Sequence, residues 1–287
     1  MAPVVKGQEA PGFHPGAPAL PHPGLPTASP KDTLPMSTNL GLKNMPQQQV
    51  IAELAPHGVL RAAINMGNFL LVTGRAPNGD PDGCSPDMAR AIAQSLGVPV
   101  QFVPYAKPGE LADDAENDKW DIGNIGAEPS RAEKIEFTAA YVEIEATYLV
   151  PAGSPIKSIA EVDVKGNRIA VTARSAYDLW LERNIKNATL HRGNSQAAVI
   201  EMFLNEKMEA LAGLRPGLIG DVAKIPGSRM LDGQFTAVQQ AIGTPKKNVA
   251  GAAYLKQFVE DAKKSSAVAK LIEKHGVVGR LSVAPLA

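Results

Sequence analysis

The sequence predicts an α/β protein built as two successive α/β units. From about residue 47 onward, short apolar runs alternate with amphipathic helical stretches, the pattern of strands and covering helices. The cycle then restarts after Tyr148–Val150. The length of 287 residues suits two medium domains at roughly 100–200 residues each.

Each element has a local reason. Val59–Ile64 (VLRAAI) reads as a first strand ending near Asn65. Ser85–Leu96 reads as a helix: Ser85 as N-cap, Pro86 at the first helical position and Asp87 in the first turn. Met88, Ala89, Ile92 and Leu96 then recur at helical spacing until Gly97 stops the run. Val98–Val103 alternates in strand fashion, Glu110–Asn117 reads as a polar helix and Asp121–Ile125 as a strand. In the second unit Arg168–Val171 is a predicted strand, Ala176–Arg183 a helix, Leu190 part of a brief strand, and Ala197–Asn205 an amphipathic helix. Ala210–Leu211 sits in a strand, and Met230–Leu231 and Phe235–Ala241 read as extended. The chain closes with helices over Ala252–Lys263 and Val268–His275, with Gly276 as a C-terminal stop.

Composition narrows the function classes. Lys+Arg and Asp+Glu stand at 29 each, so charge balance points to neither nucleic acid nor an anionic membrane. No apolar run approaches the roughly 18–20 residues of a membrane-spanning helix. The single cysteine, Cys84, allows no internal disulfide, and no Cys/His pairs stand at metal-ligand spacing, so no cofactor is expected. Cys84 has no histidine near it in sequence and reads as a buried thiol rather than a nucleophile. Residues 1–46 hold ten of the 24 prolines and read as a disordered leader. They lack a basic segment followed by an apolar core, so no secretory signal is visible.

The most informative stretch is Asp118–Tyr141 (DKWDIGNIGAEPSRAEKIEFTAAY). A strand leads into a Gly-containing turn, Pro129, and then Arg131 at the head of a short amphipathic helix. A guanidinium offers a planar fork of donors that matches a carboxylate, and a helix N-terminus favours negative charge. The alternative is that Arg131 pairs with Glu133 or Glu136 on the surface.

This stretch resembles the ligand-binding turn of family 3 solute-binding proteins, the periplasmic amino-acid receptors of ABC transporters. The resemblance runs from about Glu53 to the C-terminus. It implies a two-lobed type 2 periplasmic-binding fold with a hinged inter-lobe cleft: residues 47–145 as lobe 1, 146–242 as lobe 2, and 243–287 returning to lobe 1. The crossings would fall near Ala146–Val150 and Gln239–Thr244. Arg131 falls on the residue that grips the ligand carboxylate in that family. Gly79–Gly97 parallels a further family segment and also reads as plain scaffold. Asn65–Leu71 (NMGNFLL) occupies a ligand-facing loop, with Phe69 as an aromatic floor and Asn65 and Asn68 as amide donors or, equally, as turn formers. Val171–Trp180 parallels the second anchor. There Ser175 either meets a carboxylate or caps its helix, Arg174 either adds a second positive charge or points to water, and Asp178 matches a family glutamate.

Three departures bear on the ligand. The turn Asp121–Arg131 is about two residues short. Glu128 stands where threonine supports the arginine, and a carboxylate beside a bound carboxylate is repulsive unless protonated or offset by a cation. Leu214 occupies the place of the aspartate that binds an α-ammonium, although Asp221 lies further along. An ordinary α-amino acid therefore fits poorly, because a buried ammonium needs a counter-charge. The expected function is a non-catalytic receptor that closes around a small carboxylate-containing metabolite (amino-acid-like or organic acid) and delivers it, as a monomer, to an ABC permease. A cyclohexadienyl-dehydratase-like enzyme using Asp178 and Glu128 is the first alternative, and an intracellular ligand sensor the second. The resemblance implies a periplasmic location, whereas the visible N-terminus leaves the chain in the cytoplasm.

Overall fold

The computed structural model describes residues 47–287, so the expectation for residues 1–46 lies outside the described residues. In chain order the first half contains α1 (Gln47–Leu54), β1 (Leu60–Asn65), a small hairpin β2 (Gly74–Arg75) and β3 (Pro81–Asp82), α2 (Cys84–Leu96), β4 (Val100–Tyr105), α3 (Pro108–Asp113), β5 (Ile122–Gly126) and β6 (Ile135–Phe137). The long strand β7 (Val142–Val150) leads to β8 (Arg168–Thr172), α4 (Ala176–Asn184), β9 (Thr189–Gly193), α5 (Gln196–Asn205), β10 (Ala210–Leu214) and α6 (Arg215–Val222). The chain finishes with β11 (Arg229–Met230), β12 (Thr236–Pro245), α7 (Val249–Lys264), α8 (Ala267–Lys274) and β13 (Ser282–Val283).

One sheet runs in the order β4-β1-β5-β12-β7-β10-β8-β9. It contains two parallel blocks. β1 lies parallel to both β4 and β5, and β8 lies parallel to both β9 and β10. The antiparallel strands β12 and β7 join the blocks, pairing Thr236 with Ala146 and Gln240 with Val142.

Burial divides along the same line. Leu60, Ile64, Met88, Ile92, Phe258 and Leu271 belong to one core. Tyr148, Val171, Leu181 and Leu231 belong to another, with Phe203, Leu211 and Leu218 packed separately. On β7, Val142 and Ile144 face the first core, and Ala146, Tyr148 and Val150 the second. On β12, Val238 belongs to the second and Ile242 to the first. The chain thus crosses twice, and α7 and α8 return to the first core.

Three local readings change. The helix α2 begins at Cys84, with Gly83 rather than Ser85 at its N-cap. Gly83 has φ +146°, and a Cβ there would sit 2.2 Å from the Leu71 carbonyl oxygen. This close approach pulls Ser85 into the buried first turn. Arg131–Glu133 forms only one 3₁₀ turn, because β6 must begin at Ile135 to pair with β12. A single turn supplies no appreciable macrodipole, so Arg131 acts through its guanidinium alone. The sequence RPGLIGDV also forms a helix, α6, despite two glycines and a proline. Pro216 is tolerated in the first turn, and fully buried Leu218 ties the helix to the core.

The helices α2 and α8 are joined by an ion cluster. Asp87 accepts from Arg90, Lys274 and His275 at 2.8–2.9 Å. Burial acts to raise its pKa, but the three donors prevail and hold the carboxyl below its usual value. A depressed carboxyl contributes stability above its unfolded pKa and loses it as pH falls through the folded one. Acid unfolding should therefore steepen below about pH 4. Asp87→Asn is expected to flatten that limb and cost about 2 kcal/mol at pH 7. Urea melts between pH 3 and 7 test this, and an unchanged acid limb in the variant would refute it.

Candidate functional site

The parallel strands of both blocks deliver their C-terminal ends to one cavity of about 600 Å³. Asn65 ends β1, Gly126 ends β5, Thr172 ends β8 and Leu214 ends β10, and all four line it. Ala106 and Lys107 follow β4, and Asn194 follows β9. In α/β sheets this is where strand order reverses and loops diverge, which opens a crevice for a ligand.

Arg131 is 5% exposed and lines the cavity. Its Nη1 donates to the Gly126 carbonyl at 2.8 Å and its Nη2 to the Arg174 carbonyl at 2.9 Å. Among the described residues no carboxylate forms an ion pair with it. Burial pushes the guanidinium down to about 10, against partial support from the charge of Glu128. Gly126 is needed here, since a Cβ would lie 2.8 Å from the Ala176 methyl. The surface pairing with Glu133 or Glu136 does not occur; Glu136 instead pairs with Lys256.

Glu128 is buried, and its carboxylate accepts from Arg183 of α4 at 2.5 Å. It lies outside the cavity wall. Arg174 adopts φ +59°, a left-handed conformation that costs a non-glycine residue about 1 kcal/mol or more. Its guanidinium grips Asp113 with two bonds of 2.9 and 2.7 Å at the solvent-exposed surface, outside the cavity wall. Its backbone N–H donates to Asp178 at 2.7 Å, so this one strained residue joins Arg131, α3 and α4.

Ser175 caps α4, its hydroxyl accepting from Asp178 N–H at 3.1 Å, and it also lines the cavity. Asp178 is buried behind it, held by the Arg174 N–H and by Arg192 at 2.9 Å, outside the cavity wall. Asn65 and Asn68 also line the cavity while their side-chain oxygens accept from Gly67 and Leu70 N–H, so both also form turns. Phe69 is half exposed at the wall, with the Arg280 guanidinium 5.6 Å from its ring centre.

Leu214 lines the cavity, as does buried Asp221 on α6. Buried Gln240 on β12 also faces it. Two adjacent glutamines in an otherwise apolar strand (AVQQAI) were a sequence signal for such a role. Gln196 and Thr172 complete the second-block side; nothing in their local sequence marked them out.

Two other groups carry no reactive chemistry. Burial pushes the Cys84 thiol up to about 12, with Asp87 adding to the shift, so the thiolate nucleophile is absent at neutral pH. Asp82, Asp87 and His275 place donor atoms within 4.8 Å of one another, but Lys274 and Arg90 already neutralise Asp87.

Solved structures share this architecture. A solute receptor for L-cysteine of Neisseria gonorrhoeae superposes with a TM-score of 0.66 at 20% identity, covering 82% of this chain and 99% of its own. A mutant of ArgBP from T. maritima gives 0.63 at 19%, covering 79% and 99%. An ancestral amino acid-binding protein, a precursor of cyclohexadienyl dehydratase, gives 0.62 at 22%, covering 78% and 98%. At these identities the likeness shows the fold, the two-lobed type 2 periplasmic-binding architecture. No curated protein sequence matches the chain. Residues 68–278 match the pattern of the bacterial extracellular solute-binding proteins, family 3, and the chain belongs to that family.

Proposed function

We propose that this chain is the substrate-binding component of an ABC transporter and closes around a small metabolite bearing a carboxylate. The observation that carries the reading is Arg131: a guanidinium buried in the cavity wall that, among the described residues, ion-pairs with no carboxylate. A buried cation is costly until an anion meets it, and the donors left over by Gly126 and Arg174 can take a carboxylate. Amino-acid-type ligands and an ABC permease partner are what the family ordinarily has, and the reading places the protein on the outer side of the membrane as a monomer. Among the described residues no helix is long and apolar enough to cross a membrane.

Binding is favoured over catalysis because Asp178, the acid a dehydratase would need, is held by Arg192 and the α4 cap away from the cavity wall. Native mass spectrometry of the purified protein, followed by denaturation and identification of the released molecule, tests the reading. A small carboxylate that is missing from the Arg131→Gln protein is the expected result. A bound molecule without any acidic group would overturn it.

A further inference from the structure

The cavity is electropositive in a chain whose charges balance at 29 of each sign. Four cationic side chains line it: Arg131, which is buried, and Lys107, Lys224 and Arg280, which are exposed. Among the described residues none of the four forms an ion pair with a carboxylate. Asp221 is the single acid among the described residues of the wall, and it already takes the Gln196 amide at 3.3 Å. Four cations against one acid is a local excess. It is costly where a cation is buried, and it draws anions toward the mouth.

Helix ends add to this field. The helices α4, α5 and α6 all begin at the cavity wall, with Ser175, Ser195 and Leu214 at their N-caps. The two serines satisfy their own helices, accepting from Asp178 and Ala198 N–H at 3.1 and 3.2 Å. Leu214 offers no side-chain acceptor, and no acid stands in the first turn of α6. That helix therefore turns uncapped N–H groups and the positive end of its dipole to the cavity. Gly217, in the same turn, leaves the backbone open: a Cβ there would meet the Phe69 ring edge at 3.5 Å. The Arg280 guanidinium lies 5.6 Å from the centre of that same ring, so Arg280 and the start of α6 share Phe69 as a neighbour.

A buried amide points the same way. Gln240 is 5% exposed, lines the cavity and makes no side-chain hydrogen bond among the described residues. Its partner across the sheet is Gly126, whose carbonyl holds Arg131, so an unused donor stands next to the buried guanidinium. An ammonium group is the wrong occupant for such a wall, since it would meet a helix N-terminus and an excess of cations. We propose, on the basis of the receptor reading, that the ligand is a small dicarboxylate with no cationic group. One carboxylate meets Arg131 and the Gln240 amide. The other meets the α6 N-terminus with Arg280 beside it, while Lys107 and Lys224 act at longer range by steering.

Titration calorimetry on the full chain, refolded from denaturant to remove any bound molecule, tests this. The probes are the dianions succinate, glutarate and adipate; their half-amides, which keep the shape but only one charge; and the α-amino acids 2-aminobutyrate and glutamate. One dianion is expected to bind tightest, and about tenfold or more tighter than its half-amide, the scale of one charge-assisted hydrogen bond. Arg280→Gln, a change at an exposed side chain, should remove most of that advantage while altering the half-amide by less than about threefold. Leu214→Asp caps α6 and puts a negative charge at its start, and should abolish the advantage; thermal melts confirm folding of both variants. Tightest binding by a half-amide or by an α-amino acid would overturn the proposal, as would an undiminished dianion advantage in either folded variant. In those cases loss of the tightest binder in Arg131→Gln still preserves the carboxylate-receptor reading. Binding of no carboxylate at all would overturn both.

Discussion

Arg131→Gln is expected to weaken binding of a carboxylate ligand by about 100-fold or more. A bidentate guanidinium–carboxylate contact in a dry site combines two charge-assisted hydrogen bonds, each stabilising by about 1.5–3 kcal/mol. The fold should survive, because glutamine keeps one donor for the Gly126 or Arg174 carbonyl and removes a buried cation that forms no ion pair among the described residues. Burial has already moved the guanidinium down to about 10. Since the carboxylate binds the protonated form, affinity should stay level through neutral pH and fall as pH rises above about 10. A ligand contact raises that pKa again, so the fall is linked to binding. Calorimetry on the wild type and variant, with thermal melts to confirm folding, reads both effects. Equal affinities would remove Arg131 from the site.

Arg183→Ala should weaken the same ligand by about tenfold, although Arg183 lines no part of the cavity. The Glu128 side chain is 9% exposed and that of Arg183 38%, so removing the arginine leaves a buried carboxylate uncompensated. That carboxylate lies close enough to Arg131 to act on its charge. Freed from Arg183, it competes with and repels the incoming ligand carboxylate. The double variant Glu128→Gln/Arg183→Ala should bind within about threefold of wild type, since both the repulsive charge and its partner are gone. A merely structural role for the pair predicts no such rescue, and absence of rescue would refute the assignment. The neighbouring Arg174–Asp113 pair has side chains 57% and 59% exposed. Solvent screening limits an exposed pair to roughly 1 kcal/mol or less, so the buried Glu128–Arg183 pair dominates this region.

The sequence raised a problem of charge that it could not solve. Glu128 beside an arginine proposed to bind a carboxylate requires an offsetting cation, and that much follows from charge alone. The cation is Arg183, 55 residues away in sequence, brought there by the packing of α4 against the turn after β5. The same limit applies to Asp221 and Gln196, which meet only because α5 and α6 both begin at strand ends of the second parallel block.

What the sequence determined by itself is the α/β class and the main strands and helices, though not α1, the β2–β3 hairpin or α6. Apolar spacing, Gly97 at +72° and Gly276 at +65° end their helices as expected, because 3.6- and 2-residue periods and left-handed glycines are local properties. Local reasoning failed where a distant contact overrode it: Gly83 against Leu71 reset the start of α2, pairing with β12 cut the Arg131 helix to one turn, and Leu218 held a glycine-rich helix together. Of the site residues expected from sequence, Asn65, Asn68, Phe69, Arg131, Ser175 and Leu214 stand in the cavity wall, whereas Glu128, Arg174 and Asp178 lie outside it. Only the tertiary structure decided which charges are neutralised and which are left facing the cavity. Charge compensation depends on distances of a few ångströms between elements far apart in the chain, and no local pattern encodes those distances.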